Sequence, residues 1–467
     1  MTARRRRGQT SFNDWFAFGG IPRPEELMDP VLKRIDGVLD DEQLVDQVFD
    51  ALTKRHQESA RTGRPSTPAE IVLRMLVLKH LRGWSYEQLE WEVTGNFVYR
   101  RFCRIDGGKV PDEKTMVRYG QLVGDAVIEQ LFVRVVELAK LRDVTKGRRL
   151  RVDTTVVEAP IHYPTDSGLL ADAARVLSRE VGKLEEAGAK LPFVRTDVRR
   201  SLARRLLEIG YALRQRGDDA KAAIVKPYKR LLRTTGRITR QALRARRAAI
   251  RAMKKARGKR RAALARAVEK IDVFVPRAQQ VIRQTRARII RGDTTSDGKL
   301  LSIFEPDARI LRRGKLHKPT EFGALVKVQE SEGGIVTDIA IVDTHHDSAL
   351  LVSSVERHIE IFGAPPIMAA TDRGFYSGAG VKRIEELGVR RVVVPFPGKR
   401  SQKRIRHEKQ RWFRRGRAWR AGGEARIARL KHRFGMARSR YRGPSGTART
   451  TYWAGIANNL VAIAMAA

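Results

Sequence analysis

The sequence predicts an α/β protein whose mixed sheet is interrupted by a long basic helical insert and preceded by an all-α N-terminal domain. In residues 150–157, one set of side chains (Leu150, Val152, Thr154 and Val156) alternates with the other, which has the two-residue period of a strand. The segment is also rich in β-branched side chains. Strand patterns return only after residue 299, where helical patterns separate them. Helix formers fill almost all of the sequence between these two regions. Strands on both sides of an all-helical stretch therefore favour this fold class.

The composition points to a polyanionic partner. The 467 residues include 94 Lys and Arg against 52 Asp and Glu, a net charge of +42. Such self-repulsion favours nucleic acid as the partner, ahead of an anionic membrane surface. No apolar run is long enough to span a membrane, and the N-terminal arginines lack the apolar segment of a signal peptide. We therefore expect a cytoplasmic, nucleoid-associated protein without a membrane partner.

The region before the first strand divides into a basic arm, residues 1–25, and a helical domain, residues 26–142. Capping residues mark the helix starts, namely Thr67 with Pro68 and Glu70, Ser85 with Gln88, Asn96, and Asp112 or Thr115. Short helices joined by tight polar turns favour a helix-turn-helix unit that binds DNA. An ordinary helical bundle is the alternative.

Residues 168–292 predict a basic helical insert. Residues 201–300 contain 29 Lys and Arg against 7 Asp and Glu, and arginines occur on every face of 237–266. So dense a run of one sign disfavours a bare helix in water, and phosphate contacts would neutralise it. A coiled-coil hairpin for dimerisation is a compatible alternative. The candidate DNA-binding residues of the insert are Arg244, Arg247, Lys255 and Arg260.

The sheet region comprises residues 143–167 and 293–467. After the insert its predicted elements are a strand at 299–304, a hairpin of strands 323–330 and 334–342, a helix at 348–361, a strand at 366–370, a helix at 381–387 and a strand at 391–395. A basic loop from about 396 to 419 then precedes a helix at 420–435. Strands and helices that alternate in this way predict a mixed sheet.

Two acids lie in or directly after the predicted strands. Asp153 interrupts the first strand, and Asp372 follows a wholly apolar one. A carboxylate in a buried sheet is costly unless it is paired or binds a cation. Asp153 on an edge strand, capped by the hydroxyls of Thr154 and Thr155, is one explanation. The other is a site in which these acids and a third from a later helix hold two divalent cations, because Mg²⁺ prefers oxygen ligands.

The last basic helix offers Glu424 as the third acid. Arg420, Glu424 and Lys431 stand at i, i+4 and i+11, so the three side chains share one helix face. Glu424 would face the metals, while the two cations would flank it beside a scissile phosphate. A surface salt-bridge ladder is the alternative for this face. Glu408 and Glu385 are the alternative third acids.

This spacing, Arg420-x3-Glu424-x6-Lys431, resembles the tyrosine–arginine–glutamate–lysine signature of DDE transposases encoded by bacterial insertion sequences. The sequence departs from the signature at Arg417, which stands at the tyrosine position.

Other parts of the sequence carry the same resemblance. Asp153 in RVDTT and Asp372 in ATDRGFYS are similar to the first and second acids of that family. Further similar stretches are VPDEKT, HYPTDSGLL, RGKLHKPTEFG and WAGIANNL. The N-terminal helices resemble the family's DNA-binding domain. The resemblance covers nearly the whole chain and is weakest over residues 170–290.

The resemblance implies an RNase H-like catalytic domain in which Asp153, Asp372 and Glu424 hold two Mg²⁺ or Mn²⁺ ions. One ion would activate water and then a 3′-hydroxyl, and the other would stabilise the leaving 3′-oxygen. Arg420 and Lys431 would bind the flanking phosphates. The implied partner is double-stranded DNA, both the terminal inverted repeats and the target, and a homodimer would hold two ends together. The alternatives are a nuclease of the same fold without strand transfer, and a non-catalytic nucleic-acid-binding protein.

Three further features have simpler explanations beside functional ones. Arg373 directly follows the second acid and is a candidate phosphate contact. His345, His346 and Asp347 could suggest a metal cluster, but histidine suits zinc or iron, and we expect a helix cap there. Asp166 is expected to cap the first helix of the insert.

Overall fold

A computed structural model describes residues 27–54, 66–105, 107–215, 220–295, 298–312, 319–343 and 346–466. The chain forms two compact units, one made of Met1–Pro160 with Ile310–Ala467 and the other of Ile161–Arg309. The predicted basic arm, residues 1–25, lies outside the described residues.

The N-terminal region of the first unit is helical. Its described helices are α1 (Pro30–Val38), α2 (Glu42–Thr53), α3 (Ala69–Arg82), α4 (Tyr86–Gly95), α5 (Phe97–Phe102) and α6 (Glu113–Leu141). Ser85 and Gln88 form the predicted capping box at the start of α4. Asn96 caps α5 and Asp112 caps α6, as predicted. Local side-chain chemistry therefore sets the starts of these helices.

The capping box predicted at Thr67 is not formed. Helix α3 begins after Pro68 and has no side-chain capping bond. The carboxylate of Glu70, which was expected to reach back to the cap, accepts a hydrogen bond from Arg74 Nε at 3.3 Å instead. Arg74 is completely buried and also pairs with Asp40. A buried guanidinium is costly without charged partners. Glu70 therefore binds Arg74 and not the backbone at the start of the helix.

The first unit also contains a mixed sheet. Its strands are β1 (Arg149–Glu158), β2 (Arg309–Leu311), β3 (Glu321–Glu330), β4 (Val336–Val342), β5 (Met368–Ala370) and β6 (Arg391–Val393). The order across the sheet is β2-β3-β1-β5-β6, and β4 also pairs with β3. Strand β1 runs antiparallel to β3 and parallel to β5, which runs parallel to β6. β1 is therefore an interior strand with hydrogen-bonded neighbours on both sides.

The hairpin predicted at 323–330 and 334–342 is confirmed by the antiparallel strands β3 and β4. A short 3-10 turn, Glu332–Gly334, connects them. Gly333 and Gly334 have φ angles of 72° and 74°, a region that glycine adopts without steric cost.

The strand predicted at 299–304 is wrong. The segment has irregular backbone, and Leu300 and Ile303 are buried in the core of the helical unit. The backbone N–H of Leu300 donates to Gln284 Oε1, and its carbonyl accepts from Gln284 Nε2, both at 3.0 Å. A side-chain amide thus satisfies backbone groups that a neighbouring strand would otherwise bond.

The second unit is helical, as predicted for the insert. Its described helices are α7 (Asp166–Glu186), α8 (Arg199–Ala212), α9 (Ala220–Met253) and α10 (Gly258–Thr285). Thr165, and not Asp166, caps α7, because Thr165 Oγ1 accepts from the backbone N–H of Gly168 at 3.1 Å. Asp166 instead pairs with Arg288 at 3.0 Å.

After the hairpin, the first unit continues with further helices. They are α11 (Leu350–Phe362), α12 (Gly378–Glu386), α13 (Gln402–Lys409), α14 (Arg411–His432) and α15 (Gly443–Ala466). The basic loop predicted at 396–419 is therefore mostly wrong, because it contains α13 and the first part of α14. Ser401 caps α13, and Phe413 is buried against Met368 and Val393. This apolar contact helps to hold the first part of α14 on the sheet.

The N-terminal helices and the sheet share one hydrophobic core with α15. The elements approach closely at Gly455, where a Cβ atom would lie 2.7 Å from Phe132 of α6 and 2.9 Å from Ile339 of β4. This core contains residues from both sides of position 142, and the domain boundary predicted there stays a prediction. None of the helices that the structure describes is both long enough and apolar enough to cross a membrane.

Glu332, in the β3–β4 turn, fixes the start of β1. Its carboxylate accepts hydrogen bonds from the backbone N–H groups of Lys146, Arg148 and Arg149 at 2.8–3.0 Å. Burial alone would raise the pKa of Glu332, but these bonds and the Ser331 hydroxyl outweigh it and lower the pKa.

We predict that Glu332→Gln lowers the free energy of unfolding at pH 7 by about 1–3 kcal/mol, since several backbone donors lose a charged acceptor. Because folding lowers this pKa, the stabilisation is complete above the unfolded value of about 4.3 and is lost as the pH falls through the folded value. Urea unfolding at pH 7 and at lower pH measures both effects. The exposed Glu386→Gln is the matched control, and an equal loss at both pH values would contradict the assignment.

Candidate active site and nucleic-acid interface

The pairing of β1 with β5 brings the two predicted aspartates to neighbouring strands. The parallel register pairs Arg149 with Met368 and Arg151 with Ala370. Extending this register by two residues pairs Asp153 of β1 with Asp372, which follows the end of β5. Adjacent strands lie about 4.8 Å apart, so these carboxylates start from neighbouring backbone positions. Both lie at the carboxyl-terminal side of the pairing, where ligand sites of parallel strands collect.

Backbone amides hold both carboxylates. Asp153 Oδ1 accepts from the backbone N–H of Thr154, and Asp372 Oδ1 accepts from the backbone N–H of Gly374, each at 2.7 Å. The edge-strand explanation for Asp153 is wrong, because β1 is interior. The hydroxyl of Thr154 does not cap Asp153; it donates to Asp347 Oδ1 at 3.0 Å.

Asp347 is a third acid near this pair, and its role was missed from the sequence. It begins a short 3-10 turn, and His346 before it makes no side-chain capping bond. A Cβ atom on Gly374 would lie 3.3 Å from Asp347 Oδ2 and 3.1 Å from Asp372 Oδ1, so these oxygens are no more than 6.4 Å apart. The expectation of a helix cap thus fails for the Asp347 side chain. His345 lies outside the described residues.

Helix α14 lies against β1, β5 and β6 and carries the predicted third acid. Asp153 and Arg420 line the same small cleft between β1 and this helix. Glu424, one turn beyond Arg420, is 71% exposed and accepts a hydrogen bond from Arg420 Nη2 at 3.3 Å. Lys431 is partly buried further along α14. Arg420 and Glu424 therefore share a helix face beside Asp153. They form an ion pair, which the alternative of a surface salt-bridge ladder would also contain.

The three predicted ligands do not form a closed cluster. Within the part of the chain that the structure describes, no group of three or more His, Cys, Asp or Glu side chains is arranged to hold a metal ion. Asp153 and Asp372 start from neighbouring strands, while Glu424 points outward from the facing helix. Hard oxygen donors of this kind fit Mg²⁺ or Mn²⁺.

A buried ion pair fixes α14 to the sheet. Arg151 of β1 binds Glu330 of β3 through two hydrogen bonds of 2.6 and 2.8 Å, and it donates to the Trp419 carbonyl at 2.6 Å. Arg426 of α14 binds the same carboxylate at 3.1 Å and also binds Asn458 of α15. One carboxylate thus joins β1, β3 and α14 next to the candidate site.

The alternative third acids have other environments. Glu408 is buried; burial raises the pKa of its carboxyl, but hydrogen bonds from the Phe396 backbone N–H, Arg404 and Arg400 outweigh burial and lower the pKa. Glu408 therefore stabilises the β6–α13 connection. Glu385 is exposed on α12, which packs on β6 and α11.

In the helical unit, six arginines form a stripe along α9. They follow one another three or four residues apart and are all exposed, namely Arg233, Arg237, Arg240, Arg244, Arg247 and Arg251. This arginine stripe spans about 27 Å of helix. The opposite face, with Ala242, Ala245 and Ala249, is buried, so the basic side chains do not occur on every face of α9. The ion pairs formed by described residues include none of the six.

The other predicted DNA-binding residues differ in their surroundings. Lys255 is exposed just after α9. Arg260 is also exposed, but it donates to the carbonyls of Ala187 and Gly188 at 3.0 Å and so closes the end of α7. Arg373 is exposed in the turn after the second acid.

Comparison with known protein families gives a match to a transposase domain over the N-terminal helices. Residues 23–122 match the family model described as Transposase domain (DUF772). An uncharacterised protein from Rhizobium meliloti, ORF8 in the nfe locus, is 29% identical over 127 residues, which are 26% of this chain and 61% of the relative. The chain therefore spans less than two thirds of that relative. No solved structure gives a significant match. Over these helices the chain is similar to transposases.

We predict that Glu330→Gln destabilises the first unit by about 3–5 kcal/mol, because it leaves the guanidinium groups of Arg151 and Arg426 without their charged partner. Thermal and urea unfolding measure this loss. The control is Glu360→Gln, which removes an exposed ion pair with Arg357 and should cost less than about 1 kcal/mol. Similar losses in the two variants would show that the buried pair does not hold α14.

Proposed function

We propose that the protein is a DNA transposase that binds the terminal inverted repeats of its insertion sequence and catalyses metal-dependent cleavage and strand transfer. The observation that carries the proposal is the parallel pairing of β1 with β5, because its register, extended by two residues, brings Asp372 just after β5 level with Asp153 of β1. The transposase-domain match over residues 23–122 supports the same function independently.

The sheet order supports an RNase H-like catalytic domain. Antiparallel strands β4, β3 and β1 are followed across the sheet by the parallel strands β5 and β6, with α14 against the parallel part. The first acid then lies on the central strand, the second after its parallel neighbour, and the third on α14. In the sequence, the helical unit is inserted between β1 and β2.

The proposed roles follow from the side chains. Asp153, Asp372 and Glu424 would hold two Mg²⁺ or Mn²⁺ ions, which when bound activate the attacking hydroxyl and stabilise the leaving oxygen. Arg420 and Lys431 would bind the phosphates beside the scissile bond, since a guanidinium binds phosphate oxygens in pairs. Glu424 would turn from Arg420 toward the two aspartates.

We expect Asp153→Asn, Asp372→Asn and Glu424→Gln each to reduce Mg²⁺-dependent cleavage of a labelled inverted-repeat DNA by about 1000-fold, since several kcal/mol of transition-state stabilisation are lost. DNA binding without metal should be retained. Glu386→Gln, an exposed acid on α12, is the matched control and should cleave normally.

The outcomes separate the candidates for the third acid. If Glu424→Gln still cleaves and Asp347→Asn does not, the third ligand is Asp347. If all the acid variants cleave like wild type, the three-carboxylate mechanism is wrong. Strand transfer from pre-cleaved ends distinguishes a transposase from a nuclease of the same fold. A non-catalytic nucleic-acid-binding protein would bind DNA and never cleave it.

The arginine stripe of α9 would bind the backbone of double-stranded DNA. Its members include Arg244 and Arg247, and their spacing of about one helical turn presents a row of guanidinium groups to phosphates. Two DNA ends must be held together for transposition, so a homodimer on DNA is the proposed assembly.

Log K for duplex binding should fall as log salt rises, because each phosphate contact releases counterions. Replacing Arg240, Arg244 and Arg247 together by Gln should make this negative slope shallower by about 2–3. The control is Arg246→Gln on the same helix, whose side chain already pairs with Asp272. Fluorescence anisotropy across a salt series measures both slopes. An unchanged slope in the triple variant would exclude the stripe as the DNA surface.

A further inference from the structure

A basic groove lies at the amino-terminal ends of the parallel strands, away from the candidate carboxylates. It is formed where β1, β5 and β6 begin and where the first half of α14 crosses them. Arg149 stands four residues before Asp153, so the groove begins about 13 Å from that carboxylate along β1. All of its lining residues belong to the first unit.

Guanidinium groups surround this groove. Its arginines are Arg148, Arg149, Arg391, Arg411 and Arg415. All five are exposed, and the ion pairs described for the chain include none of them. Like charges that line one groove repel one another, and none of these side chains has an ion-pair partner among the described residues. A polyanion is the natural partner for such a ring of charge.

Two tryptophans, Trp412 and Trp419, add aromatic rings to the lining of the groove. Trp412 is held edge-on by Phe413 and His407, with ring centroids 5.6 and 5.3 Å away. Trp419 is held by the guanidinium of Arg151, 4.8 Å from its ring centroid. Both rings are only partly buried, and both line the groove. They are fixed aromatic surfaces.

The groove has room for a flat ring beside these surfaces. Its volume is about 520 Å³, and Ile367, Met368 and Gly416 add an apolar lining. Small-molecule sites of this size, about 300–1000 Å³, commonly combine an apolar lining with a few charged groups. A nucleobase offers the matching shape, and its phosphates offer the matching charge.

We propose that this groove binds an unpaired segment of nucleic acid, with a base stacked on Trp412 and the adjoining phosphates bound by the arginines. Stacking on an aromatic side chain together with a basic rim is the physical basis of single-strand binding. A paired base would not reach the ring, because its faces are already stacked in the duplex. The inference rests on the proposed function only for the choice of nucleic acid as the polyanion.

The test measures binding without metal, so it does not depend on cleavage. The probes are a fluorescent single strand of about 12 nucleotides, an abasic strand of the same length and a duplex. Wild type should bind the base-bearing strand more tightly than the abasic strand. Trp412→Ala should weaken binding of the base-bearing strand by about 5- to 100-fold and leave abasic and duplex binding unchanged, since one stacked base contributes about 1–3 kcal/mol.

Three variants keep the result interpretable. Trp412→Phe keeps an aromatic surface and should retain most of the binding, whereas Tyr211→Ala removes an aromatic ring that is 66% exposed on α8, outside the arginine stripe, and should change nothing. Arg415→Gln should weaken binding of both single strands. Equal binding of the abasic and base-bearing strands, or a Trp412→Ala variant that binds like wild type, would overturn the stacking site. If wild type binds the base-bearing strand more tightly than the abasic strand but never cleaves DNA, the proposed function is overturned and the stacking site is not.

Discussion

The buried ion pair between Arg151 and Glu330 is the interaction on which the arrangement of the sheet region depends. It joins β1 to β3, and through Arg426 and the Trp419 carbonyl it fixes α14 against both strands. Without charged partners, each of these buried groups would carry a large desolvation cost. The pair therefore selects one position of α14, and that position brings Arg420 into the cleft that Asp153 lines.

The high positive charge is organised into two surfaces in two separate units. On α9 the arginines form a single row above a buried alanine face, whereas in the sheet region they surround a groove that contains tryptophan. A row of guanidinium groups suits the regular phosphates of a duplex, which needs no recognition of bases. A groove with aromatic rings suits bases that have left the duplex. The two surfaces would thus serve the two proposed modes of contact with nucleic acid.

Local signals in the sequence predicted the elements that depend on local chemistry. The Ser85–Gln88 capping box and the β3–β4 hairpin are confirmed, since a cap or a turn is decided by residues a few positions apart. The segments 299–304 and 396–419 were misassigned because their structure depends on partners outside them. Gln284 bonds the backbone of Leu300, and Phe413 packs against Met368 and Val393 of the sheet. The same reason explains the site: acids in apolar strands signalled Asp153 and Asp372, whereas the place of Asp347 depends on tertiary packing.

Close packing of α14 couples the candidate active site to the groove. A Cβ atom on Gly416 would lie 2.6 Å from Val393, and one on Gly422 would lie 2.9 Å from Arg151, so the helix backbone sits directly on the sheet. Trp412 and Arg415 lie on the first turns of this helix, and Arg420 and Glu424 stand on either side of the contact between Gly422 and Arg151. A helix held at two glycines cannot shift one end without moving the other. A strand bound in the groove would therefore be held at a fixed distance from the carboxylates.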